Sequence, residues 1–131
     1  MSDFLSALQI SASGLAAERT RVDLAATNLA NAESTHGPDG QPFRRRDPVL
    51  SFDEQLSGVK VSEVVEDQTP GKRVYSPGHP DADADGFVTL PNVDPIHEVV
   101  NLVSAQGAYD ANATAVETLK TMAQRALDIA K

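Results

Sequence analysis

One acidic loop in the sequence has residue types and spacing that could bind a metal ion. Asp81, Asp83 and Asp85 alternate with alanines and precede Gly86, which matches the first half of a calcium loop, with oxygens at positions one, three and five and glycine at six. The match then fails, because position twelve is Asn92 and not a bidentate glutamate. An acidic turn whose aspartates accept hydrogen bonds from their own backbone is the alternative, and the sequence favours it. The three aspartates remain weak candidate metal ligands.

The other reactive side chains do not form a recognisable site. His36, His79 and His97 lie far apart in the sequence, whereas a zinc site needs three or four converging ligands. No serine lies in a strand–turn–helix elbow with a base and an orienting group. Cysteine is absent, which excludes disulfide and thiolate sites. We therefore predict no catalytic residue and no cofactor.

The charge of the chain argues against a nucleic-acid partner. Its 131 residues include 11 lysines and arginines and 19 acidic residues, for a net charge of −8, whereas phosphate binding needs clustered cations. No stretch approaches the roughly 18 apolar residues of a membrane span, and the first residues lack the cationic and apolar regions of a cleaved secretory signal. We expect one domain with no membrane insertion.

The strongest structural signal is a long amphipathic pattern at the C-terminal end. Asp94 and Pro95 are typical of a helix start. From Leu102 to Ala130 apolar positions step by three and four, and Asn112 is the one polar member. This heptad spacing is typical of a helix packed against other helices, and about 36 residues predict a rod of roughly 54 Å. A displaced apolar stripe at its start comprises Ile96, Val99 and Val103.

A second heptad pattern predicts an N-terminal helix from about Asp3 to about Glu33. Gly14 in this helix and Gly107 in the C-terminal one cost about 1 kcal/mol each relative to alanine, but would let another backbone approach closely. An antiparallel pair within one chain and a bundle with neighbouring subunits both fit these patterns, and the sequence favours assembly modestly. The predicted assembly interface comprises Leu5, Leu8, Leu15, Val22, Asn28, Leu29, Asn31, Leu102, Tyr109, Asn112, Val116 and Leu119.

The segment between the helices is rich in loops and short strands. Residues 34–42 contain two glycines and two prolines and predict a loop. Short strands are predicted at residues 48–52, 58–66, 74–75 and 87–90 from their β-branched and aromatic content. A segment of this size forms only a marginal core by itself. We therefore expect the isolated subunit to be only partly folded.

These elements predict a mainly α fold with a small β insert. The two long terminal helices form a coiled-coil-like bundle, and the middle of the chain is β-rich and loop-rich. The predicted organisation is an N-terminal helix in residues 1–35, an insert and linker in residues 36–92, and a C-terminal helix in residues 93–131.

Both ends of the chain resemble one protein family. Residues 10–35, ISASGLAAERTRVDLAATNLANAEST, resemble the N-terminal signature of bacterial flagellar axial proteins, a serine- and alanine-rich helix that ends in Asn-Leu-Ala-Asn-Ala. Residues 101–129 are similar to the closing helix of the same proteins. The motif PFRRRD at residues 42–47 and the linker at residues 75–94 narrow the resemblance to the small proximal members of the flagellar basal-body rod family.

The resemblance implies a structural, non-enzymatic subunit of the flagellar rod, which crosses the periplasm and transmits torque from motor to hook for motility. It implies polymerisation through the terminal helices. The implied partners are copies of the chain, neighbouring rod proteins, a motor-ring adaptor at the rod base and the flagellar type III export apparatus. The alternative function is a calcium-binding interaction module that uses the loop of Asp81, Asp83 and Asp85.

Overall fold

The computed structural model describes residues 2–131. Two long helices form the two ends of the chain, and two small antiparallel sheets lie between them in sequence. The mainly α fold class with a small β insert is confirmed. Among residues 2–131, no helix has the length and apolar character that crossing a bilayer requires. In chain order the elements are α1 (Ser2–Ala30), β1 (Arg46–Asp53), β2 (Gly58–Glu66), β3 (Arg73–Tyr75), β4 (Phe87–Thr89) and α2 (Pro95–Ile129).

The ends of the helices follow local signals. The Asp94 carboxylate accepts a hydrogen bond from the N–H of Ile96 at 3.1 Å, and proline occupies the first turn, so the predicted start of α2 is confirmed. The helix α1 ends at Ala30, earlier than predicted, because the chain tightens into a turn in which the N–H of Ala32 bonds the carbonyl of Leu29 at 3.3 Å.

The two helices pack side by side and run antiparallel. At one end Asn28 Nδ2 donates to Glu98 Oε2 at 3.3 Å. Further along, Gly14 faces Asn112, whose amide atoms would lie 3.0 Å from a Cβ at the glycine. Both pairs fit one register, in which Ser2 lies level with residue 124. Residues 125–131 therefore extend beyond the start of α1.

The expectation that a helical glycine admits another backbone is wrong for Gly14 within the subunit and stays a prediction for Gly107. Gly14 accommodates a side chain, the amide of Asn112, which also donates to the carbonyl of Ala108 in its own helix at 3.1 Å. No atom in the described part of the chain lies within 4 Å of a Cβ built at Gly107. Gly14 makes room for the side chain of Asn112 within the subunit, and Gly107 is exposed to solvent.

The β1–β2 hairpin lies along α1. Its pairing runs from Arg46 opposite Glu66 to Asp53 opposite Gly58, with an irregularity between Val49 and Leu50. The N–H of Val59 donates to Ser13 Oγ of α1 at 3.1 Å. The short strands β3 and β4 form a separate two-stranded sheet. The predicted strands are therefore present, with β1 two residues longer at its start than expected.

The buried core is small and lies in the half of the molecule next to the insert. The two largest fully buried side chains in residues 2–131 are polar, namely Asn28 and Glu98, each 1% exposed. Three of the four buried apolar residues are alanines, so little apolar area fixes how the helices meet. The buried apolar residues are Ala17, Ala25, Val88 and Ala105.

Candidate assembly surface

The end of α1 is fixed to the insert and to α2 by the amide of Asn28. Its Nδ2 donates to the carbonyl of Arg46 at 2.9 Å and to Glu98 Oε2 at 3.3 Å. Its Oδ1 accepts from the N–H of Arg46 at 3.0 Å. Both amide hydrogens and the oxygen are thus bonded within the chain. Asn28, predicted as an assembly contact, lies inside the subunit and not on its surface.

Glu98 joins this amide to the half-buried Arg45. Its second carboxylate oxygen accepts from Arg45 Nε, and Arg45 also donates to Asp47. Burial acts to lower the pKa of Arg45, but the hydrogen bonds and charges of Glu98 and Asp47 outweigh it, so the pKa is raised. The guanidinium therefore stays charged and compensates the buried carboxylate.

The linker before α2 is held by the same group of residues. Asn92 Oδ1 accepts from the N–H of Arg45 at 2.8 Å, and its Nδ2 donates to the carbonyls of Asp67 and Thr69, each at 2.9 Å. Hydrogen bonds from Thr69, and then the charge of Arg45, lower the pKa of Asp67. We call this cluster of Asn28, Arg45, Asp67, Asn92 and Glu98 the polar network. It joins four segments: the end of α1, the start of β1, the loop after β2 and the start of α2.

The polar network constrains how α1 and α2 align. Alanines at the helix contact would tolerate a shift, since small side chains interdigitate weakly. A shift would separate the buried Asn28 and Glu98 from their partners, and each unpaired buried polar group costs about 1–3 kcal/mol. A few polar residues in a helix seam can fix register in this way.

The predicted interface residues divide by their exposure. Leu5 is 56% exposed on α1, and Asn28 is buried in the polar network. The remaining ten are half-buried in the isolated subunit, so they contribute to its own packing as well as to its surface. They are Leu8, Leu15, Val22, Leu29, Asn31, Leu102, Tyr109, Asn112, Val116 and Leu119.

Two groups of exposed apolar side chains on α2 were not in the predicted interface. The group at its start was signalled in the sequence by the displaced stripe. Leu127 and Ile129 of the group at its end lie on the part of α2 that reaches beyond α1, and Ile129 is 87% exposed. Contiguous exposed apolar residues mark interaction surfaces. The two groups are Ile96, Val99, Val100 and Val103, and Met122, Leu127 and Ile129.

The first and last parts of the chain match known families. Residues 8–38 match the flagella basal body rod protein model, and residues 84–129 match the C-terminal model of the flagellar basal body rod FlgEFG proteins. The flagellar basal-body rod protein FlgC of Salmonella typhimurium is 46% identical over 129 residues, which cover 95% of this chain and 96% of the relative. The FlgC proteins of Aquifex aeolicus and Bacillus subtilis are 41% and 40% identical, over 98% and 95% of this chain and 98% and 96% of the relatives.

The chain belongs to the FlgC family of flagellar basal-body rod proteins. It is a structural subunit of the flagellar rod, located in the basal body. The two matched segments contain residues 8–30 of α1 and all of α2, so the family models describe most of the helices. They leave the β1–β2 hairpin unmatched.

The acidic loop of this FlgC family member uses its aspartates for internal hydrogen bonds. Asp83 Oδ1 accepts from the N–H groups of Asp85 and Phe87 at 3.0 and 2.9 Å, and Oδ2 accepts from Arg73 at 2.8 Å. The Phe87 hydrogen bond, and then Arg73, lower the pKa of Asp83. Gly86 has the positive φ of 84° that this turn requires. The acidic-turn interpretation is thus confirmed for Asp83.

The carboxylate of Asp81 contacts residues outside this loop. Its Oδ2 accepts from Thr35 Oγ1 at 2.7 Å, and its Oδ1 lies 3.6 Å from Nδ1 of His36. No group of three or more metal-ligating side chains converges within residues 2–131. Neither the relatives nor the geometry supports the alternative function of a calcium-binding module.

Proposed function

We propose that this FlgC family member polymerises through α1 and α2 into the proximal rod, and that the resulting shaft transmits torque from the motor to the hook. The proposal depends on one observation: both helices expose large apolar side chains. Leu5, Val103 and Ile129 are examples. Exposed apolar side chains of this size do not stabilise an isolated, strongly charged chain (net charge −8) in water. Burial stabilises by about 25 cal/mol per Å² of apolar surface, so contacts with neighbours account for them.

The placement of these side chains suits a growing filament. The apolar groups at the two ends of α2 differ in sequence and lie at opposite ends of the helix. A contact between different patches on identical subunits is heterologous, and when its rotation does not close, it continues indefinitely. The half-buried seam residues add contacts where helices of neighbouring subunits pack, which stiffens the shaft.

The proposed interface keeps the predicted residues except Asn28 and adds the two exposed apolar groups on α2. Leu5 and the ten half-buried residues contact neighbours, whereas Asn28 acts from inside the subunit by holding α1 in register. We also keep the division into an N-terminal helix, an insert with linker and a C-terminal helix as functional units. The proposed partners are further copies, neighbouring rod proteins, a motor-ring adaptor and the type III export apparatus. The chain is proposed to have no enzymatic role, in keeping with relatives named as rod proteins.

Leu5→Asp is the sharpest test of this proposal. Leu5 is exposed in the subunit, so the change leaves its fold intact, whereas a charge in an assembled interface costs several kcal/mol in each copy. Leu119→Asp is less diagnostic, because Leu119 is half-buried and also contributes to the subunit. We expect Leu5→Asp to abolish swimming and reduce isolated basal bodies at least tenfold in a complemented null strain.

Ser6→Asp is the matched control, since it adds the same charge at an exposed position of the same helix, about 100° around the axis from Leu5, and should support swimming. Circular dichroism of both purified variants should match that of the unchanged chain. Normal rods with Leu5→Asp would show that this face of α1 is not an assembly contact.

A further inference from the structure

We infer that the β1–β2 hairpin of one subunit binds the end of α2 in a second copy of the chain, an inference that rests on the polymerisation proposed above. The hairpin is residues 46–66, and we call residues 120–131 the α2 tail. This contact would give a function to the hairpin, which the family models leave unmatched.

The hairpin carries six apolar side chains, distributed over both of its faces, that remain exposed in residues 2–131. It has only two strands and rests on α1 through Val59 and Ser13, so part of its surface faces solvent. Phe52 is 64% exposed. The hairpin contains five acidic and two basic residues. The other exposed apolar residues are Val49, Leu50, Leu56, Val64 and Val65.

The α2 tail has the complementary composition. It exposes Met122, Leu127 and Ile129, and its charged residues are three basic and one acidic. The exposed group at the start of α2 lacks this feature, because residues 93–103 contain no lysine or arginine. An acidic apolar surface is therefore matched by the tail and not by the other exposed end of the helix, and such complementarity selects partners and orients them.

The strands of the hairpin make no contact with α2 of their own chain. Val59 is bonded to Ser13, and the antiparallel register places Leu127 beyond the start of α1. About 14 residues of helix separate these two levels, which is roughly 21 Å at 1.5 Å per residue. For Leu127 and Ile129, the contact that we infer is therefore one between copies. Because the hairpin and the α2 tail are different patches, the contact propagates and does not close into a dimer.

Disulfide cross-linking tests the contact directly, because the chain contains no cysteine. The full-length double variant Phe52→Cys, Leu127→Cys is expressed in a null strain, and isolated basal bodies are oxidised and analysed by non-reducing immunoblot. A disulfide forms only where Cβ atoms approach to about 3.5–4.5 Å. We expect a ladder beyond the dimer in steps of one chain mass, 13.9 kDa, that collapses on reduction.

The matched control is Tyr75→Cys with Leu127→Cys, since Tyr75 is 65% exposed but lies in the other sheet. We expect at most roughly a tenth of the product from this pair, because its Cβ atoms fall outside bonding range. Equal yields from both pairs, or a product that contains another protein, would overturn the inference. If the first pair blocks rod formation under reducing conditions, Leu56→Cys with Ile129→Cys is scored by the same criteria.

A charge exchange adds a second readout. Arg125→Glu in the Phe52→Cys, Leu127→Cys background should lower the cross-linked yield roughly threefold, as expected for an exposed ion pair, and Glu54→Lys in the same chain should restore it. If rods of the double-cysteine variant form without the cross-link, and Leu5→Asp still abolishes rods, this contact is refuted. Polymerisation through the helices would then remain supported. Normal rods with Leu5→Asp would contradict the proposed function instead.

Discussion

The two ends of the antiparallel helix pair are held in different ways. At the end next to the insert, Asn28 and Glu98 are buried and bonded to each other and to the chain around Arg45. At the other end, residues 2–16 of α1 and 106–131 contain no buried residue, and Leu5, Leu127 and Ile129 are exposed. One end is fixed by polar contacts within the subunit, and the other presents apolar surface.

This difference separates two requirements of a filament subunit. Buried polar groups need specific partners at fixed distances, so they fix the register of a single chain. Apolar contacts are non-directional and roughly proportional to area, so a neighbouring subunit can provide them as well as the chain itself. The polar network therefore sets the shape of the subunit, and the open end is the part that the proposed assembly contacts would cover.

The largest expected effect comes from breaking the polar network. Glu98→Gln replaces one carboxylate oxygen by an amide nitrogen, so Asn28 or Arg45 loses its acceptor and the half-buried arginine loses its compensating charge. We expect the free energy of unfolding to fall by about 2–3 kcal/mol, measured by urea unfolding of the isolated subunit.

The control for this change is Glu117→Gln, because Glu117 lies exposed on the same helix and should cost under about 0.5 kcal/mol. Equal unfolding midpoints for the two variants would mean that the polar network does not hold the helices together, and the contrast between the two ends would be lost.

Hydrogen exchange should show the contrast along each helix. We expect amide protons near Asn28 and Glu98 to exchange at least about tenfold more slowly than those in residues 2–10 and 118–131, because local opening costs less where few groups are buried. The measurement is exchange followed by mass spectrometry on a verified monomer. We therefore expect the partial folding of the isolated subunit to be unequal along the two helices.

Uniform protection along α1 and α2 would contradict this gradient and indicate that the helix pair folds as one cooperative unit. Adding Glu98→Gln should remove the protected segment if the polar network causes it. A gradient that persists in this variant would assign the protection to the buried alanines instead.

The smallest expected change in the free energy of unfolding comes from replacing the two helical glycines. Gly107→Ala should raise the free energy of unfolding by up to about 1 kcal/mol, because no described atom lies within 4 Å of the added Cβ. Gly14→Ala should gain less, since its Cβ would lie 3.0 Å from the amide atoms of Asn112. Thermal unfolding of both variants measures the difference, and equal gains would show that the contact of Gly14 with Asn112 imposes no constraint.

The helices and strands of this chain could be predicted from the sequence because their signals are local. The Asp94 cap and heptad spacing mark α2, and alternating β-branched residues mark β2. The hydrogen bonds of Asp83 to its own loop also involve neighbours within four residues. Each of these features depends on residues close in sequence, where residue type and spacing largely decide the backbone.

The sequence did not reveal the polar network, because its members come from four separate segments. Glu98 lies 70 positions from Asn28 and 53 from Arg45, and a glutamate near the start of a helix normally indicates an exposed residue that favours the helix dipole. A heptad pattern likewise shows which face of a helix is apolar but not which surface covers it. Only the packing of the whole chain buried Asn28, left Leu5 exposed and placed Gly14 against Asn112, since burial depends on what lies across the helix and not along it.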